Sequence, residues 1–133
     1  MSTEQVYLVR WAEEGFVKAG FSSDGKRWRS FIRRGGRLLG LASLPTQELG
    51  FDAASAEHLL HIGLSTRLPR AFQHRSEAAH YLGCKGAGWT ECYVDDGTLA
   101  LPMFALAVEV IRGGSDDAYR LVRDHWTRPL AVA

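Results

Sequence analysis

Cysteine, net charge and long apolar runs are all scarce in this sequence, and each scarcity closes off a class of protein. Two cysteines, Cys84 and Cys92, are too few for a disulfide scaffold in 133 residues and too far apart for a CxxC knuckle. The net charge is only +1, from 16 basic and 15 acidic residues. That is not the profile of a protein that coats nucleic acid through bulk charge. The best candidate for a membrane-spanning run, Leu99 to Ile111, contains Pro102 and Glu109 and is short of the length required. The opening MSTEQVYLVR has no apolar core of the signal-peptide kind. Neither an internal repeat nor a low-complexity stretch is visible. A soluble, cytoplasmic, single-domain protein is therefore expected over residues 1–133.

What is present suits one packed core. Hydrophobic residues make up 46% of the chain and charged residues 23%, which argues against disorder. The charge is unevenly spread. Lys26, Arg27, Arg29, Arg33, Arg34 and Arg37 follow one another with no acid among them, whereas acids gather at Asp95, Asp96, Asp116 and Asp117.

Residues 5–10 (QVYLVR) and 16–21 (FVKAGF) read as strands joined by a turn at Glu13-Glu14-Gly15, hence an antiparallel hairpin. Ser22, Ser23 and Asp24 offer N-cap oxygens to a helix over 26–34, whose Trp28, Phe31 and Ile32 form an apolar stripe. Gly35-Gly36 stops it, and 37–44 reads as a further strand. A helix over 52–66, capped by Asp52, buries Ala56, Leu59, Leu60 and Leu64. A short helix over 76–82, a glycine-rich connection over 83–88 and a strand over 89–94 follow. An apolar helix over 101–111 and an amphipathic one from Ser115 to Trp126, ended by Pro129, complete the chain. The class is α+β. The expected architecture is a small, mainly antiparallel, three-stranded sheet flanked by helices, with extra C-terminal helices.

Strand alternation places Tyr7 with Val9 on one face, and Lys18 with Gly20 on one face of the partner. With Arg27 in the first turn of the next helix, a phenol, an ammonium and a guanidinium can converge. That set suits phosphodiester chemistry, because a guanidinium stabilises growing phosphoryl charge and a phenol beside a cation has a lowered pKa. The alternative is a half-buried Tyr7, a solvated Lys18 and an Arg27 that is one of several surface arginines. Glu57 and His61, four apart, share a helical face, and one carboxylate is a reasonable Mg²⁺ ligand. The alternative there is a surface pair, and the HLLH run is not the HExxH of zincins. His74, His80, Cys84 and Cys92 could ligate zinc, though their spacings match no familiar site. Gly83, Gly86 and Gly88 follow a helix-like segment, so dinucleotide and P-loop readings are set aside. No nucleophile-elbow sequence supports a catalytic triad.

The stretch Val6-Tyr7-Leu8, Val17-Lys18-Ala19-Gly20 and Lys26-Arg27-Trp28 resembles the opening of the GIY-YIG endonucleases, with ten residues between Tyr7 and Lys18. Ala56-Glu57-His58-Leu59-Leu60-His61 resembles the glutamate helix of a short branch found in phages and mobile elements, and Thr90-Glu91-Cys92-Tyr93 its closing strand. The resemblance spans about 5–111, leaving a C-terminal helix over about 115–128. Gln5 replaces the first glycine, Lys18 the second tyrosine and Phe31 a histidine or tyrosine, and the chain has no asparagine. The resemblance implies a DNA endonuclease in which Tyr7 acts as or assists the general base, Lys18 aids it and Arg27 binds the scissile phosphate. Glu57 would hold Mg²⁺ or Mn²⁺, with His61 and Glu91 in support. Lys26, Arg29, Arg33 and Arg34, joined by Arg67, Arg70 and Arg75, would follow the DNA backbone. With no separate recognition domain, sequence specificity would be modest, or supplied by a homodimer or a recruiting protein. The rival expectation is an inactive, nuclease-like module that binds DNA or a protein.

Overall fold

A computed structural model describes residues 3–46 and 50–128. The expected helix stop at Pro129 lies outside them. Four strands form one antiparallel sheet in the order β3-β1-β2-β4: β1 is Thr3–Trp11, β2 Phe16–Ser22, β3 Arg37–Pro45 and β4 Cys92–Val94. Among the described residues there are five α-helices: α1 Lys26–Arg33, α2 Ala53–Arg67, α3 Arg75–Leu82, α4 Ala100–Gly113 and α5 Asp116–Thr127. None is long and apolar enough to cross a membrane.

The α+β class holds, but the sheet has four strands rather than three. The added member is short. Of the strand expected over 89–94, only Cys92–Val94 pairs with β2, and Trp89–Glu91 instead forms a 3₁₀ turn. Gly88, at φ 90°, leads into that turn in the left-handed conformation that glycine tolerates.

Both faces of the sheet are buried, because side chains alternate along β1 and β2. Val6, Leu8, Val17 and Ala19 face a core built with α2 and α4. Tyr7, Val9, Trp11 and Phe16 face a second, aromatic core that takes in Phe31 of α1 and Ala78 and Leu82 of α3. The hairpin register sets Tyr7 opposite Gly20 and Val9 opposite Lys18, as alternation requires.

Two caps form where expected. Asp52 accepts from the Ser55 amide at 2.9 Å and starts α2, and Ser115 accepts from Ala118 at 3.2 Å and starts α5. The α1 cap differs. Gly25 occupies it in the left-handed region with no side-chain cap. Ser22 Oγ is taken by the Gly25 amide, so the expected Ser/Asp cap becomes a turn that leads into the helix.

Candidate functional site

β4 covers only Phe16, Val17 and Lys18 on the outer edge of β2. From Ala19 onward no strand among the described residues lies beside that edge. At this notch side chains from α1 and α2, on opposite faces of the sheet, reach one space. A cavity of about 240 Å³ opens there, lined by Tyr7, Lys18, Gly20, Phe21, Arg27, Glu57, Ala87, Gly88 and Glu91. Tyr7, Lys18, Arg27 and Glu57 therefore border one space, although they come from two strands and two helices.

Lys18 is only 2% exposed, so it is not a solvated lysine. Its Nζ donates to Glu91 Oε1 at 3.0 Å and to the Ala19 carbonyl at 2.9 Å, and it lies 5.5 Å from the centre of the Tyr7 ring. Burial works against its charge, but Tyr7 and Glu91 outweigh burial and raise its pKa. The ammonium is a fixed cation in the cavity wall.

Tyr7 departs from expectation. Burial dominates and raises its pKa, and the nearby Lys18 offsets this only in part. The hydroxyl is thus a protonated phenol near neutral pH, a hydrogen-bond donor rather than a ready base. It sits over Gly20, the residue opposite it in the sheet, where a β-carbon would come within 2.7 Å of Tyr7 Cζ and 2.9 Å of Lys18 Nζ. Only a glycine leaves room for both groups.

Arg27 is committed to backbone. Its Nη1 donates to the Leu82 carbonyl at 3.0 Å and its Nη2 to the Ala87 carbonyl, while its guanidinium packs 4.6 Å from the centre of the Phe31 ring. It ties α1 to the glycine-rich segment, whose Cys84 and Lys85 also adopt positive φ. Positive charge faces the cavity, and the same group fixes the opposite wall.

Glu57, His61 and Glu91 meet on the far side. As the four-residue spacing requires, Glu57 and His61 share one face of α2, with Oε1 to Nε2 at 3.2 Å. Glu91 Oε2 approaches the same nitrogen at 3.4 Å. Nε2 is buried, yet it makes no hydrogen bond to either oxygen. The Nδ1 atom is engaged instead with Tyr93 Oη at 2.7 Å. Burial disfavours a charged His61, but the two carboxylates outweigh it and raise its pKa. Burial likewise opposes an ionised Glu91, but His61 and Lys18 hold its carboxyl well below the usual range.

The donor atoms of Glu57, His61 and Glu91 lie within 4.8 Å of one another and could hold a metal ion. Glu91 thus has a larger part than a supporting one. Its two oxygens join Lys18 to the Glu57–His61 pair. The sequence signal for this was thin, a glutamate just ahead of a short strand. The histidine–cysteine zinc set does not assemble. Among the described residues no other group of three such ligands converges; Cys84 is exposed, and Cys92 is buried with its thiol facing the Gly88 carbonyl.

Lys26, Arg29, Arg33, Arg34 and Arg37 are exposed on α1 and just beyond it. Arg29 stacks on Trp28, and Arg34 donates to the His80 carbonyl. The outlying arginines are occupied otherwise. Arg67 binds the carbonyls of His125 and Trp126 at the end of α5, Arg70 binds that of Thr90, and Arg75 binds that of Lys85. In comparisons with known proteins no family model, no curated protein and no solved structure matches this chain.

Proposed function

We propose that the protein hydrolyses DNA phosphodiester bonds with the help of a divalent metal, using a site of the GIY-YIG kind. One observation carries this reading: Tyr7, Lys18, Arg27 and Glu57 line the same cavity, with Glu91 beside them. Phosphoryl transfer needs a guide for the attacking water, fixed positive charge for the phosphoryl oxygens and a carboxylate for a metal. The Tyr7 phenol orients the water through its hydroxyl. The fixed charges of Lys18 and Arg27 stabilise the five-coordinate phosphorus as the bond to the leaving oxygen breaks. A metal held by Glu57 would lower the pKa of bound water and polarise the phosphoryl group. The exposed basic side chains Lys26, Arg29, Arg33 and Arg34 contact the DNA backbone, which positions the duplex without selecting sequence.

The test is cleavage of supercoiled plasmid in Mg²⁺ or Mn²⁺ by the wild type and by Glu57→Gln and Tyr7→Phe. Nicking by the wild type that falls at least about a hundredfold in both variants is expected. Equal cleavage by the variants would remove this site from the reaction.

A second reading has its own support. Both terminal nitrogens of Arg27 are taken by carbonyls, and the Lys18 ammonium by Glu91. In that reading the chain binds DNA without cutting it. A wild type that retards plasmid on a gel and leaves it intact would establish that reading over the first.

A further inference from the structure

We propose that Glu57, His61 and Glu91 together form a three-donor centre for a divalent transition metal, selecting the Mn²⁺ to Zn²⁺ class over Mg²⁺. This rests on the reading above only in taking Glu57 as a metal ligand.

The spacing fits shared coordination. Two donors bound at about 2.1 Å to one ion lie about 3.0 Å apart at a right angle and about 3.4 Å apart at the tetrahedral angle. The His61 nitrogen stands 3.2 Å from Glu57 Oε1 and 3.4 Å from Glu91 Oε2. The nitrogen itself is buried and has no hydrogen-bond partner, so no other polar group competes with an ion for it.

The groups behind the donors are also in place. Metal-bound histidines hold their second ring nitrogen in a hydrogen bond that fixes the tautomer. Here His61 Nδ1 lies in a hydrogen bond with Tyr93 Oη at 2.7 Å. With Nδ1 engaged there, Nε2 is the ring nitrogen that faces the two carboxylates. Glu91 is divided in the same way. Lys18 holds Oε1 at 3.0 Å and leaves Oε2 on the centre. Glu57 and His61 come from one rigid helix, so two of the three donors are preset.

The choice of metal follows from the nitrogen. Mg²⁺ prefers oxygen ligands and retains its waters, whereas imidazole favours the later divalent ions. Two carboxylates with one imidazole leave coordination positions open for water and a phosphate oxygen.

The experiment uses the full chain without DNA. Calorimetric titrations with Mn²⁺, Zn²⁺ and Mg²⁺ give the affinities, and electron spin echo modulation of the Mn²⁺ complex reports a directly bound nitrogen. One equivalent of Mn²⁺ is expected to bind at least about tenfold more tightly than Mg²⁺, with ¹⁴N coupling that disappears in His61→Ala. Tyr93→Phe keeps all three ligands and is expected to weaken Mn²⁺ about tenfold or more. Absence of ¹⁴N coupling in the wild type, or equal affinity for Mn²⁺ and Mg²⁺, overturns the proposal without any variant having to fold. DNA cleavage without nitrogen coupling would sink this centre and keep the nuclease; nitrogen-coupled binding without cleavage would do the reverse.

Discussion

Replacing Gly20 with alanine probes the cavity at its tightest point. Gly20 lies in a regular strand paired with Tyr7, so alanine costs nothing in backbone conformation. The added methyl would stand 2.7 Å from Tyr7 Cζ and 2.9 Å from Lys18 Nζ. Comfortable carbon–carbon contact begins near 3.5 Å, so the ring must retreat by about 0.8 Å. Retreat is obstructed, because Tyr7 is 2% exposed and packs against Phe31 with ring centres 6.0 Å apart. Overpacking of this kind costs about 1–3 kcal/mol. For a domain of this size that corresponds to a fall of roughly 3–12 °C in melting temperature. If Tyr7 orients the attacking water as proposed, a shift of nearly 1 Å costs about a hundredfold in rate. Circular dichroism melts and plasmid nicking with Mn²⁺ measure the two effects separately. Gly113→Ala is the control, since nothing lies within 4 Å of a β-carbon there, and its melting temperature should be unchanged or slightly higher. If Gly20→Ala melted and cut like the wild type, the Tyr7 hydroxyl would not be held against β2, and the phenol's assigned place would be wrong.

Other variants test the walls of the cavity. Lys18→Met removes the cation from a pair in which Lys18 is 2% and Glu91 34% exposed, leaving a carboxylate partly stranded. Breaking a buried pair costs about 3–5 kcal/mol, and the exposure of Glu91 puts this case near 3; a loss under about 1 kcal/mol in urea unfolding would contradict the pairing. Arg27→Lys gives up the fork that binds Leu82 and Ala87, so amides of residues 84–88 should exchange hydrogen at least about tenfold faster. Unchanged exchange would show that Arg27 does not hold that wall. Burial pushes the Cys92 thiol up to about 12, so it stays protonated at pH 8. Iodoacetamide at that pH should therefore modify one cysteine, the exposed Cys84, in the folded protein and both in denaturant. Rapid labelling of Cys92 in the native state would mean that the aromatic core around it opens.

Local chemistry was enough for much of this molecule. Apolar alternation over 5–10 and 16–21 determined the hairpin and its register, since a slip of one residue would turn Val6, Leu8, Val17 and Ala19 out of their core. Asp52 and Ser115 marked helix starts because a short side-chain oxygen satisfies an amide two or three residues on. The four-residue spacing of Glu57 and His61 placed them together for the same local reason. Only the tertiary structure decided the rest. The 3₁₀ turn at Trp89–Glu91 left the fourth strand three residues long, and the β2 edge beyond it is where the cavity forms. Packing, not sequence distance, put Glu91 between Lys18 and His61, and Arg27 on carbonyls 55 and 60 residues away. Burial then reversed the expected pKa shift of Tyr7, since the loss of solvent around a phenol in an aromatic core outweighs one neighbouring ammonium. Periodicity is written in neighbouring residues; solvation and the convergence of charges depend on the whole fold, and they define this site.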